Sequence, residues 1–252
     1  MSEQANVDCA AGFGVRLIGC ADDAALPIGM HDYAEALGCC TLVDKTMFIA
    51  DALDCDASVV VCCRPEGFGK SMNLSMLRAF LERPAVGRAD QRLFANAQIW
   101  DADGGRYRDE YACYPVISLD FSGAARRGAA IADVVRDALS GECVRLLALL
   151  EAPDLARDKV RHIERVARGA ASEDEVASVL GVLIELLEMA CDEQVVLLVD
   201  GYDAAWLGRA SARGASGADP AGLFDRVLFD AIAAARDSLR LTCLMGECPG
   251  PA

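Results

Sequence analysis

The chain of 252 residues is short of positive charge: 24 Lys and Arg stand against 39 Asp and Glu, a formal net charge of −15. So acidic a surface does not coat a nucleic-acid backbone by bulk electrostatics, and direct nucleic-acid binding is not expected. No apolar run approaches the ~18 residues of a membrane span, and Met1-Ser2-Glu3-Gln4 carries neither the basic nor the apolar part of a secretory signal. Lysine is scarce, with three positions (Lys45, Lys70, Lys159) beside 21 arginines, and the histidines are His31 and His162 alone. The twelve cysteines include no C-x-x-C, and neither histidine is near a ligand-like cysteine pair. A secreted disulfide scaffold and a structural zinc site are therefore not expected. What is plentiful is apolar: 54% of residues are hydrophobic. The cysteines, Cys62 and Cys63 after Val59-Val60-Val61 among them, read as small buried hydrophobes in a reducing compartment. The expectation is a soluble cytoplasmic protein.

Short β-branched runs alternate with helical periodicity. Ser58 to Cys63 reads as a strand buried on both faces, ended by Arg64-Pro65-Glu66-Gly67-Phe68-Gly69. Leu74, Leu77, Phe80 and Leu81 recur at helical spacing and predict a helix from Ser71 to just before Pro84. Further strands are predicted at 115–121, 194–200 and 239–245. Helices are predicted near 45–53, 131–150, 153–168, after the Ser172/Glu175 capping box, and from Asp219-Pro220 to about Ala235. Residues 157–168, with Val160, Ile163 and Val166 on one side, read as an ordinary amphipathic helix with a solvated basic face. Strand–helix alternation implies a parallel sheet covered by helices on both faces. Residues 1–25 read as an N-terminal arm with a short strand at Val15 to Ile18, and residues 26–252 as one domain.

The junction at 58–82 carries chemistry. Gly69-Lys70-Ser71 falls between a buried strand and an amphipathic helix, where backbone amides and the helix dipole favour a phosphate. Lys70 can reach β and γ phosphates and Ser71 can offer its hydroxyl to Mg2+. The strict G-x-x-x-x-G-K-[ST] pattern fails because Arg64 stands at its first glycine, and the bare triple is not specific. A second buried run ends in Asp200, a residue type that holds Mg2+ in phosphoryl-transfer sites.

Leu26-Pro27-Ile28-Gly29, Val43-Asp44-Lys45-Thr46, Arg64-Pro65 through Gly69-Lys70-Ser71-Met72-Asn73-Leu74-Ser75-Met76-Leu77, Pro115 to Phe121 and Leu198-Val199-Asp200-Gly201-Tyr202-Asp203 follow one another in the chain. This ordered series resembles the predicted AAA-ATPase-like family of bacteria and archaea, over about residues 26–245. The resemblance implies a three-layer P-loop NTPase-type α/β fold binding ATP and Mg2+. Arg64, Pro65, Glu66, Gly67, Phe68, Gly69, Lys70, Ser71 and Met72 would hold the nucleotide, and Ser71 and Asp200 the metal. It also makes Arg64 the family's own version of the loop.

Two departures bear on activity. Glu66 brings negative charge beside a polyphosphate site. Where the family has a water-polarising glutamate after the magnesium aspartate there is Gly201, which cannot act as a base. Asp203 is the candidate catalytic substitute. Four strands are counted where the resemblance implies five, so the domain is expected to lack its last strand and to leave strand 58–63 at an open edge. Relatives often continue into a restriction-endonuclease-like nuclease domain; a protein partner or a separate domain of that kind is the expected associate. Three functions follow: an ATP-binding module with weak or absent hydrolysis acting as a nucleotide-gated regulatory domain, an active ATPase using Asp203 or a partner's residue, and a non-binding interaction scaffold.

Overall fold

The computed structural model describes residues 16–19, 25–85, 87, 89–122, 130–152, 154–204 and 220–247. The predicted strand start at Val15 and helix starts at Pro153 and Asp219 lie outside them. The chain divides into two compact units, one made of residues up to Asp56 with Gly67–Cys113, the other of Ala57–Glu66 with Tyr114 onward.

In the first unit, β1 (Leu17–Gly19) pairs antiparallel with β2 (Thr41–Val43). Helices α1 (Tyr33–Cys39), α2 (Met47–Leu53), α3 (Lys70–Leu81) and α4 (Gln98–Asp101) complete it. Asp44 organises this unit. One of its carboxylate oxygens accepts from the Thr46 amide at 2.9 Å and the Thr46 hydroxyl at 2.6 Å, the other from the Gln98 amide at 2.8 Å. Thr46 Oγ1 in turn accepts from the Ile99 amide at 3.2 Å. The Val43-Asp44-Lys45-Thr46 motif is thus a clasp between the start of α2 and the start of α4, and buried amides that would otherwise lose their water are satisfied by it. Tyr33, Phe80, Phe94, Tyr111 and Trp100 form a chain of stacked and edge-on rings with centroids 5.0 to 5.9 Å apart. Ala102–Glu110 winds in 3-10 turns broken by left-handed Asp103, Gly104 and Gly105, and buries Tyr107.

The second unit holds a four-stranded sheet ordered β3 (Val59–Cys63), β6 (Leu239–Gly246), β5 (Val195–Asp200), β4 (Val116–Asp120), every pair parallel. This is the expected α/β architecture of the P-loop type, a parallel sheet flanked by helices. All six residues of β5 are buried, which is why its sequence is a continuous apolar run rather than an alternating one. Helices α5 (Ile131–Leu146), α6 (Arg157–Ala167) and α7 (Glu173–Cys191), with α8 (Pro220–Asp225) running through a π turn at Arg226–Asp230, supply the core against it. The predicted capping box at Ser172 and Glu175 is formed in both directions. The basic face of α6 is engaged, Arg165 with the Glu175 side chain and Lys159 with Glu185.

The two sides of the sheet differ. On β4, the Ser118 amide donates to Glu142 Oε1 at 2.6 Å, and Arg145 donates to the Val116 carbonyl at 2.6 Å while pairing with Glu142. A side-chain ion pair from α5 therefore takes up backbone groups that an edge strand would otherwise offer to another chain. On the opposite side β3 is the edge strand, with no further strand paired beyond it among the described residues; the expected burial on both faces does not hold, since Val61 is 48% exposed and Cys62 and Cys63 are only half-buried.

Candidate functional site

The candidate loop joins β3 to α3, and the boundary between the two units falls between its Glu66 and Gly67. On the first-unit side, Gly67 and Gly69 have φ of 81° and 77°, left-handed values that disfavour any side chain. Gly69 is the N-cap of α3 and offers no capping side chain; its carbonyl accepts from the Asn73 amide at 2.9 Å. Lys70, Ser71 and Met72, all half-buried, open the helix, where first-turn amides have no intrahelical carbonyl to meet. At both glycines an added Cβ would meet nothing within 4 Å, so the approach to the helix start is open. Phe68 is 62% exposed. The helix is held near its middle: the Tyr33 amide donates to Ser75 Oγ at 2.9 Å, which in turn donates to Asp32 at 3.3 Å. The Ser75 of the Asn73-Leu74-Ser75 motif thereby anchors α3 to α1.

On the second-unit side, the Arg64 amide donates to the Gly246 carbonyl at 3.0 Å and extends the β3–β6 ladder by one bond. Its guanidinium donates to the Cys63 carbonyl at 2.9 Å. Arg64, Pro65 and Glu66 are exposed. Asp200 ends β5 with 7% of its surface exposed, and its carbonyl accepts from the Phe121 amide at 2.8 Å. Asp203 is 1% exposed, and its carboxylate accepts from the Glu247 amide at 2.7 Å.

Gly201 is tightly constrained. Its φ is 70°, and a Cβ there would lie 2.6 Å from the Ser122 nitrogen and 2.8 Å from the Ser122 Cα. The amides of Gly201 and Tyr202 both turn onto the Met245 carbonyl, which folds the chain sharply after β5. The neighbouring Gly246 is similarly filled: a Cβ would meet the Tyr202 ring at 2.6 Å and the Asp203 carboxylate at 2.8 Å. Sequence reasoning sees the missing glutamate at 201 but not this packing, because the crowding atoms come from the end of β4.

Cys62 adds electrostatic character beside the loop. A hydrogen bond from the Cys243 thiol, helped by the Arg64 charge and opposed by burial, brings the Cys62 thiol down to about 7. The same partnership, with burial, pushes Cys243 well above the usual thiol range. Among the described residues, no group of three or more His, Cys, Asp or Glu side chains is gathered as a ready metal cage, and no helix is long and apolar enough to cross a membrane.

No curated protein and no solved structure matches the chain. The profile of the predicted AAA-ATPase family, by contrast, matches residues 27–249, a span that takes in the Asp44 clasp, the β3–α3 loop and the Asp200–Asp203 turn. By this match the chain belongs to the predicted AAA-ATPase family.

Proposed function

We propose that the chain is an ATP-binding P-loop module with weak or absent hydrolysis, acting as a nucleotide-gated regulatory or interaction domain. The observation that carries the reading is the start of α3: a left-handed glycine cap with no side chain on it, followed at once by Lys70 and Ser71. A helix N-terminus of this kind attracts phosphate through its amides and dipole. The donor set fits a polyphosphate: Lys70 supplies a compact ammonium for the β and γ phosphates and Ser71 a hydroxyl for Mg2+, with Gly67, Phe68, Gly69 and Met72 shaping the approach. Arg64, Pro65 and Glu66 as loop residues, and Asp200 as the second magnesium ligand, are assigned through the family resemblance. Bound Mg2+ would neutralise charge building on the phosphate oxygens.

Weak hydrolysis is favoured by Gly201, which has no carboxylate where the family has one, and by Asp203, whose carboxylate is buried and already holds the Glu247 amide. A base role for Asp203 is the second reading, and it requires that hydrogen bond to open. Isothermal titration of Mg-ATP into wild type and Lys70→Ala tests the proposal. Binding that weakens at least tenfold in the variant supports it; equal binding in both overturns it, and where that binding is negligible the non-binding interaction-scaffold reading is left.

A further inference from the structure

Away from the β3–α3 loop, three sulfur atoms of the first unit converge. Cys39 Sγ and Cys40 Sγ lie 3.7 Å apart, Cys40 Sγ and Met30 Sδ 3.6 Å, and Cys39 Sγ and Met30 Sδ 3.9 Å. Two local devices bring them together. Gly29, at φ 75°, makes a turn closed by the Met30 amide on the Pro27 carbonyl, which sets Met30 back toward α1. Cys39 is the last residue of α1, and Cys40 is its C-cap at φ −128° and ψ 164°. That change from helical to extended backbone lets two adjacent side chains face the same point, which a continuous helix forbids.

We propose that Met30, Cys39 and Cys40 form a three-sulfur site for a soft monovalent cation, copper(I). The three distances make a nearly equilateral triangle whose centre is about 2.2 Å from each sulfur, close to the ~2.3 Å of a metal–thiolate bond. A single ion in that plane meets all three donors without movement of the backbone. Two thiolates and a thioether are the donor set that selects copper(I) over harder ions, and the thioether argues against zinc, which takes four N, O or S ligands without thioether. Cys39 is exposed and gives the ion an entrance, while Met30 is half-buried and Cys40 buried, so the finished site is shielded on one side. Cys39 Sγ now donates to the Glu35 carbonyl at 3.2 Å. Binding releases that proton and the one on Cys40, so copper(I) and two thiols become a complex of net charge −1 and two protons, with no change of oxidation state.

The test offers anaerobic, reduced protein copper(I) as its bathocuproine disulfonate complex and follows loss of the complex's colour. Wild type should withdraw one equivalent more than Cys39→Ser at the same competitor concentration, whatever the remaining cysteines bind. Met30→Leu, which keeps both thiols and a side chain of similar bulk, should keep that equivalent but hold it about tenfold more weakly. X-ray absorption of the one-equivalent complex should show three sulfur neighbours at about 2.3 Å. Identical withdrawal by wild type, Cys39→Ser and Met30→Leu, each with unchanged circular dichroism, overturns the site. A two-sulfur absorption signature indifferent to Met30→Leu overturns it as well.

Discussion

Replacing Gly201 is the sharpest probe of this fold, because its consequence is set by backbone atoms that cannot rotate away. Gly201→Ala places a Cβ on a residue at φ 70°, which costs about 1–2 kcal/mol for the left-handed conformation alone. The same Cβ would stand 2.6 Å from the Ser122 nitrogen and 3.0 Å from the Phe121 carbonyl carbon. Relieving that contact means displacing the end of β4, an overpacking cost of about 1–3 kcal/mol. The expected destabilisation is therefore about 2–5 kcal/mol, a large part of the roughly 5–15 kcal/mol that holds a domain together. Urea unfolding followed by circular dichroism measures it. Gly181→Ala is the control, since Gly181 lies inside α7 with nothing within 4 Å of an added Cβ; it should stabilise by up to ~1 kcal/mol through helix propensity. Gly201→Glu, which restores the family's residue in name, should be at least as destabilising as alanine and gain no ATP turnover. The reasoning is refuted if Gly201→Ala unfolds within about 0.5 kcal/mol of wild type, or if Gly201→Glu folds normally and hydrolyses ATP faster.

Other expectations concern single groups. Glu142→Ala removes the partner of Arg145 and of the Ser118 amide, and should cost about 3 kcal/mol by urea unfolding while raising light scattering, as the β4 edge is uncovered. Glu142→Gln, which keeps an acceptor, should cost less. Iodoacetamide labelling of Cys62, read by peptide mass spectrometry, should rise with pH around a midpoint of about 7, since the thiolate is the reactive form and accumulates above that value. In Cys243→Ala the midpoint should move up toward that of an ordinary thiol; an unmoved midpoint would contradict the assigned cause. Asp203→Asn keeps an acceptor for the Glu247 amide and should release phosphate at the wild-type rate, itself no higher than that of Lys70→Ala; release in wild type that vanishes in Asp203→Asn would instead identify Asp203 as a base.

The elements that sequence reasoning reads well are those whose cause is local. Val59 to Cys63 and Val195 to Val199 are strands because β-branched and aliphatic residues run unbroken between turns, and α3 keeps its period from Leu74 to Leu81. The Ser172 cap is a contact across three residues. What escapes notice depends on distant partners. The β1–β2 pair needs three-residue segments brought together from either side of α1, and the ring cluster of Phe80, Phe94, Trp100 and Tyr111 follows no period. At the candidate site, Lys70 and Ser71 are visible as a motif and Gly69 as its hinge. The crowding of Gly201 by Ser122, the tether from Asp203 to Glu247 and the reach of Met30 to Cys39 and Cys40 are products of the folded chain.

The ion pair of Glu142 and Arg145 shuts the β4 border of the sheet to further growth. Val116 and Ser118 already spend their outward carbonyl and amide on α5, so a newcomer laid beside them would have to break a charged pair before making its first bond. Beside Val59–Cys63 a charged side chain takes up the last carbonyl as well, that of Cys63 by the Arg64 guanidinium, while the Arg64 amide carries the ladder one bond further.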